Sequence, residues 1–382
     1  MSAMASSDGN ADDTNDDTND DTTDDTTDDI AGRPEGPPDR LTVGIVGGSG
    51  YAGGEVLRIA LQHPRLEVVQ VTSERHAGQP IGNVHPNLRG LSRLRFTALD
   101  ALEPCDVLIA ALPHGTFLER YDRFSRTAPR LVDLSSDLRL NDPEVYLRTY
   151  GRPHPRPELL GTFVYGVPEL NRARLRGAAR ISGAGCIATA SELALAPFLR
   201  HAILAKGDAI VDAKIGSSAA GARPGPSGHH PERAGAIRTY APVGHRHEPE
   251  IAQALGGRLR IHLTATAVER VRGILVAAHL FVQDGTSEQD VLMALRESYE
   301  DEPFVRLVLS RRGIHRVPDP RILDGSNWCD IGFALDRDSG RLVVMSAIDN
   351  LVKGTAGQAI QALNVSVGWD ERSGLSFPGL HP

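Results

Sequence analysis

Residues Ser182 to Ser191 read SGAGCIATAS, and a single cysteine in them, Cys186, follows a Gly-Ala-Gly turn. Small residues and Thr189 then lead into an apolar run, Glu192 to Leu204, whose pattern predicts a helix. A thiol at such a loop-to-helix junction faces unpaired backbone N–H groups and the positive end of the helix dipole. Both draw its pKa from about 8.5 toward neutrality. The same N–H groups suit an oxyanion forming beside the sulfur. This is a nucleophile in outline, although a cysteine packed in a Gly/Ala-rich core reads the same from these ten residues alone.

Four other stretches hold what such a thiol needs. The run from Gly244 to Glu250 (GHRHEPE) places His245, His247 and Glu250 within seven residues. A neutral imidazole there takes the thiol proton and later returns one to an oxygen. His-x-His also suits a metal, but no third ligand follows at a convincing spacing, so no metal site is expected. The run DLSSDLR ends on Arg139 at the C-terminal end of a predicted parallel strand, where ligands bind in such sheets. Arg139 suits a bidentate grip on an anionic leaving group, or simply a surface pair with Asp137. The small-residue loop from Lys214 to Arg223 offers Ser217 and Arg223 to a phosphate or carboxylate, and reads equally as a linker. Last, Asp349 to Gln358 (DNLVKGTAGQ) would let Asn350 and a helix start approach a nicotinamide ring; core packing explains its small residues about as well.

The elements that must position these groups begin at Leu41. LTVGIV is a short β-rich run, followed by a glycine turn and the amphipathic helix of YAGGEVLRIALQHP. Gly48, Gly50 and Gly53 form G-x-G-x-x-G directly between strand and helix, the context in which a backbone approaches a pyrophosphate. Gly47, Ser49, Gly50, Tyr51, Ala52 and Gly53 are therefore expected at a dinucleotide. At the end of the second strand, Ser73 and Arg75 suit a 2′-phosphate, with Glu74 as a dissenting acid, which favours NADP(H) over NAD. Pro113 and Ser135, in the loops after CDVLIAA and RLVDL, are further expected cofactor contacts.

Alternating strands and helices up to Cys186 imply a doubly wound parallel sheet, an α/β class. From Asp208 onward longer alternating runs, a hairpin turn at Asp338-Ser339-Gly340 and the helical SEQDVLMALRESYED imply an α+β domain with a mixed, largely antiparallel sheet. The C-terminal NLVKGTAGQAIQALNVSVG reads as an amphipathic helix. Residues 1–38 repeat Asp-Asp-Thr units with no apolar residue between Ala11 and Ile30, the composition of a disordered acidic tail. The chain carries −8 overall and its first 40 residues −11, so the remaining body is close to neutral at +3. That charge excludes a nucleic-acid binder, and the lack of an 18-residue apolar run excludes a membrane span. Three cysteines far apart, with no signal-type leader, point to a reducing cytoplasmic setting.

Together, GGSGYAGGE, HPNL, PHG, VDLSSDLRL, YGVPELN, GAGC, GHRHEPEI, GSNWCDIGF and IDNLVKGTAGQA, in this order from Leu41 to Leu363, resemble the phosphorylating semialdehyde dehydrogenases, and more narrowly N-acetyl-γ-glutamyl-phosphate reductase and its relatives. The resemblance implies a Rossmann-like NADP-binding domain over 39–185 plus 348–382 and a catalytic and dimerisation domain over 186–347, assembled as a homodimer or homotetramer. It makes Cys186 the nucleophile and His245 the general acid/base, with His247 and Glu250 close by and Arg139 at the acyl phosphate. The acetyl-glutamyl enzymes usually read PGCYPT, where this chain has Ala184-Gly185-Cys186-Ile187-Ala188-Thr189. That difference, and the loop GSSAAGARPGPSGHHPERAG, resemble the branch acting on aminoadipyl or glutamyl phosphates carried by a small acidic amino-group carrier protein, in lysine or arginine biosynthesis.

The implied reaction is NADPH-dependent reduction of an acyl phosphate to a semialdehyde through a Cys186 thioester, with phosphate released. The alternatives are the same reduction of a free acetylated substrate and a non-catalytic NADP sensor. The sensor would keep the glycine loop but has no need of Cys186, His245 and Arg139 together.

Overall fold

The computed structural model describes residues 37–381, so the expectation for the acidic tail lies, apart from Pro37 and Pro38, outside the described residues. Short aliphatic runs between glycine-bearing turns form strands that are buried over most of their length. These are β1 (Leu41–Val46), β2 (Leu66–Thr72), β3 (Phe96–Thr97), β4 (Val107–Ala110), β5 (Arg130–Asp133), β6 (Val164–Tyr165) and β7 (Arg180–Ser182). They make one parallel sheet in the order β3-β2-β1-β4-β5-β7-β6. The chain winds outward from β1 to β3 and then returns to β4 on the other side of β1. The C-terminal ends of β1 and β4 therefore flank the switch point, where a crevice opens. Helices α1 (Tyr51–Ala60), α2 (Pro143–Tyr150) and α3 (Pro168–Leu175) belong to this half.

Helix α4 (Cys186–Leu195) starts on the cysteine itself. It ends nine residues before the expected Leu204, giving way to a 3-10 turn over Ala196–Leu199. Pro197 has no N–H to continue the α-helical ladder. Beyond it lies a second seven-stranded sheet, formed by β8 (Asp208–Ile215), β9 (Arg238–Ala241), β10 (Arg260–Ala267), β11 (Ile274–Phe281), β12 (Val305–Leu307), β13 (Cys329–Asp336) and β14 (Arg341–Ile348). Their order is β12-β13-β14-β11-β8-β10-β9. β8 with β10 and β12 with β13 pair in parallel and the other neighbours antiparallel, so the sheet is mixed as expected.

One face of this sheet packs on α4 and on α6 (Glu288–Tyr299), reached after α5 (Glu248–Ala254). Ser287 and Asp290 cap α6 reciprocally, and Tyr299 near its end donates to the carbonyl of Leu193 in α4 at 2.5 Å. The other face carries Ile210, Leu275, Ala277, Phe281, Val343 and Met345, all partly or fully exposed.

The last helix, α7 (Gly357–Val367), returns to the first sheet and packs against α1 and α3. Every residue in it is buried, the polar ones included, so it is enclosed on all sides rather than amphipathic as its sequence suggested. A π-helical turn over Val352–Ala356 precedes it. There Lys353, fully buried, donates through Nζ to Glu169 Oε1 at 2.6 Å and Gln361 Oε1 at 2.8 Å. This pair pins the turn to α3.

Candidate active site

Gly185 is the N-cap of α4 and Cys186 its first residue, so the thiol sits where the helix leaves backbone N–H groups without intrahelical partners. Cys186 is half-buried. Its pKa does not fall as the helix end alone suggested. Burial pushes the thiol up, against the opposing pull of Arg139, the Ile187 amide and Arg246.

The loop before it is tightly held. The amide of Gly185 donates to Glu250 Oε1 at 2.7 Å. Arg139 lies beneath, donating through Nε to the Gly183 carbonyl at 2.9 Å and through Nη2 to Leu134 at 3.2 Å, with Nη1 3.5 Å from Glu250 Oε2. One of its three nitrogens therefore serves this loop, a second holds the end of β5, and Nη1 faces Gly185, where an added Cβ would stand 2.8 Å away. The same Cβ would meet His247 Nε2 at 2.5 Å, so only glycine lets this ring and guanidinium close on the loop. On the far side Gly354, in the π turn, packs directly on Cys186.

The two histidines differ. His245 is half-buried, its pKa pulled down to about 4 by burial and then by Arg246. Its Nδ1 accepts from the amide of His247 at 3.1 Å, which leaves Nε2 as the protonated nitrogen of the neutral ring, 3.5 Å from the Tyr240 hydroxyl. His247 is buried, and burial and Arg139 hold its pKa well below the ordinary value. Neither of its ring nitrogens has a hydrogen-bond partner among the described residues. Nε2 stands 3.9 Å from Glu250 Oε2. Both rings are thus neutral near pH 7, one with a donor and one with a free lone pair.

The glycine loop lies at the β1–β4 switch point. Gly47 has φ +77°, and a Cβ there would press to 2.5 Å on the Ala111 carbonyl after β4; one on Gly53 would press to 2.4 Å on the Gly47 carbonyl. Above Gly50 a Cβ would meet nothing nearer than 3.7 Å, so the loop is closed on its protein side and open where a pyrophosphate would lie. Ser73 donates to Ser49 Oγ at 2.7 Å, joining the loop to the end of β2. Glu74 is engaged by the Leu99 amide at 2.7 Å, while Arg75 is exposed. These residues fit a nicotinamide dinucleotide. Tyr51 and Pro113 are exposed on the same rim, Ala52 is half-buried, and Ser135 is buried with its hydroxyl given to Asp133 at 2.7 Å.

Cys186, Arg139, His247 and Glu250 are thus brought together, with His245 adjoining. Ser217 and Arg223 are not joined to them by any hydrogen bond among the described residues. Ser217 lies in a 3-10 turn with its amide donating to Arg270, and Arg223 is exposed. Asn350 is also differently employed. Its Oδ1 accepts from the Gly273 amide at 2.7 Å and its Nδ2 donates to Ser218 at 3.0 Å, tying the loop after β8 to the start of β11. Sequence reasoning missed Tyr240, Tyr165 and Glu192. A lone carboxylate six residues after Cys186, inside an otherwise small and apolar helix, was the available signal for the last.

Two family models match the chain: "Semialdehyde dehydrogenase, NAD binding domain" over residues 42–178 and "Semialdehyde dehydrogenase, dimerisation domain" over 186–350. The chain is 59% identical over 344 residues to a [LysW]-L-2-aminoadipate 6-phosphate reductase of Deinococcus radiodurans, covering 90% of this chain and 99% of the relative. It is 47% identical over 342 residues to a putative [LysW]-L-2-aminoadipate/[LysW]-L-glutamate phosphate reductase of Natronomonas pharaonis, with 89% and 98% covered. Among solved structures, aspartate semialdehyde dehydrogenase II of Vibrio cholerae matches with a TM-score of 0.65 at 15% identity, over 86% of this chain and 98% of that one. An aspartate semialdehyde dehydrogenase of Candida albicans solved with NADP matches at 0.61 and 14%, with 85% and 98% covered. At these identities the solved structures speak for the fold. The chain belongs to the semialdehyde dehydrogenase family, as a reductase of the branch that includes the [LysW]-linked aminoadipate and glutamate phosphate reductases.

Proposed function

We propose that the protein uses NADPH to reduce an acyl phosphate, 2-aminoadipate 6-phosphate or glutamate 5-phosphate held on a small acidic amino-group carrier protein, to the semialdehyde, in lysine or arginine biosynthesis. The observation that carries this reading is the convergence on one helix N-terminus of a thiol, two neutral imidazoles and a buried guanidinium. The names of the relatives supply the carrier and the acyl chain.

Cys186 attacks the acyl carbon: the S–C bond forms, the C–O bond to phosphate breaks, and inorganic phosphate leaves toward Arg139 Nη1 and Arg246. The thiol proton passes to an imidazole. His247 holds a free lone pair beside Gly185, and His245 presents a donor at Nε2, so the two rings divide the proton traffic between them. When bound at the glycine loop, the nicotinamide supplies the hydride that reduces the thioester carbon. Backbone N–H groups at the start of α4 hold the carbonyl oxygen as charge builds on it. The S–C bond then breaks and Cys186 is regenerated. Ser73 and Arg75 receive the 2′-phosphate, since Glu74 is committed to Leu99. The NADP-binding domain comprises 39–185 with 348–382, and copies pair through the open face of the second sheet as a homodimer or homotetramer.

The test runs the reaction backward. Purified protein should reduce NADP⁺ with carrier-linked aminoadipate or glutamate semialdehyde only when inorganic phosphate is present. Equal turnover of the free acetylated semialdehyde would refute the carrier part. Turnover without phosphate would refute the acyl-phosphate part.

A further inference from the structure

Behind the nucleophile loop lies a buried chain of three side chains that the proposed chemistry does not use. Tyr165 Oη is 2.8 Å from Glu192 Oε1 and 2.8 Å from Glu250 Oε1. A phenol has one proton and donates to one carboxyl oxygen. The second contact is a hydrogen bond only if that carboxyl carries a proton of its own and donates it to the phenol oxygen. Two ionised carboxylates here would leave one bare oxygen–oxygen contact and two like charges in a place with 0% and 1% exposure.

The other neighbours decide which carboxyl holds the proton. Glu250 Oε1 also accepts from the Gly185 amide at 2.7 Å, and its Oε2 lies 3.5 Å from Arg139 Nη1, the surroundings of an ionised group. Glu192 Oε2 has no partner among the described residues. That is tolerable for the carbonyl of a neutral acid and costly for a buried carboxylate. The titratable and charged groups that face Glu192 are Glu250 from α5, Tyr165 from β6 and, more distantly, Arg139 from the loop after β5. Burial and the Glu250 charge push its pKa well up, in agreement with the proton count.

We infer that Glu192 is a neutral carboxylic acid donating to Tyr165, which in turn donates to ionised Glu250, so that Glu192 and Tyr165 are positioning residues for the loop that carries Cys186. The chain Glu192–Tyr165–Glu250–Gly185 fixes Glu250 in the one orientation that grips the Gly185 amide. Its effect on turnover rests on the reading of Cys186 as the nucleophile; its protonation does not.

The test uses the full-length protein and three variants. Infrared spectroscopy of the native protein at pH 8 should show a deuterium-sensitive protonated-carboxyl band that disappears in Glu192→Gln. In the phosphate-dependent assay, Tyr165→Phe and Glu192→Leu should lower kcat about 10- to 100-fold with KM little changed, the factor lost with a hydrogen bond to a charged group. Glu192→Gln, whose amide N–H replaces the acid as donor, should restore kcat to within about threefold of native. Absence of the band, or a Glu192→Gln loss as large as that of Tyr165→Phe, overturns the inference. If Glu192→Leu fails to fold, the other two variants decide. If the native protein turns over no acyl phosphate, the proposed function fails while the infrared band still tests the proton.

Discussion

A β-carbon on Gly354 would stand 2.7 Å from the β-carbon of Cys186 and 3.2 Å from its Cα. The π turn that carries Gly354 therefore forms one wall of the nucleophile's seat, and the thiol keeps its place only because that wall has no side chain. Both partners are backbone-anchored, so neither can swing aside. Gly354→Ala should displace Cys186 by a sizeable fraction of an ångström and lower kcat about 100-fold. Cofactor binding, followed by NADPH fluorescence, should change much less than kcat, because the added methyl meets Cys186 and Ile348 and not the glycine loop. Retention of more than half the native kcat would refute this.

The thiol's reactivity sets a pH prediction. Burial holds the Cys186 thiol above its ordinary pKa range, and both neighbouring imidazoles are held low, which disfavours a thiolate–imidazolium pair in the free enzyme. For a thiol whose pKa is raised, the thiolate fraction grows throughout the range below it. Alkylation of Cys186 should therefore speed up about tenfold per pH unit from pH 7 to 9, with no plateau. A plateau reached by pH 7 would establish a preformed ion pair and contradict it. Cys186→Ser should abolish both the alkylation and turnover while NADPH still binds.

Cofactor choice is open to a similar test. Arg75 is exposed just after β2, near Ser73, and its side chain makes no hydrogen bond or ion pair among the described residues. Arg75→Ala should raise the Kd for NADPH about 10- to 100-fold, the cost of one charge-assisted contact to phosphate, and leave NADH binding unchanged. Equal weakening of both nucleotides would move the 2′-phosphate elsewhere.

The buried pair Lys353–Glu169 gives a stability prediction. Lys353→Met leaves Glu169 buried without its cation and should cost about 3–5 kcal/mol in denaturant unfolding. Adding Glu169→Leu should return much of that loss, since an apolar pair of similar volume avoids the stranded charge. Additive losses in the double variant would argue instead for a specific packing role of each side chain.

Much of this site is legible in sequence because its chemistry needs rare residues in short runs. Gly48, Gly50 and Gly53 carry their backbone meaning in six positions, and Cys186 stands out because the residues around it are small. His245, His247 and Glu250 share one turn and the start of α5, so spacing alone groups them. What escaped sequence reading is what only folding brings together. Tyr165 and Glu192 are 27 positions apart, and Lys353 and Glu169 are 184. The π turn has no composition that separates it from an α-helical start, and the helix after it looked amphipathic because Gln358, Gln361 and Asn364 are polar. Those three residues are buried, and Gln361 and Asn364 spend their side chains on partners inside the protein. The expected drop in the Cys186 pKa failed for a related reason: a helix end is visible in sequence, but the depth at which it is buried is not.

The return of α7 to the first sheet bears on how the protein is made. Ile360, Leu363 and Val365 share a core with Val43, Ile45 and Val56, near the opposite end of the chain, and Trp369 gives its indole N–H to the Pro38 carbonyl at 2.7 Å. β14 ends at Ile348 and α7 begins at Gly357, so the second sheet is complete in the chain before the helix that closes the first half has been made. Until α7 docks, the part of β1 and α1 that it covers stays exposed. A product cut short even 25 residues from the end would keep every group proposed for catalysis and yet lack the helix that closes its cofactor half.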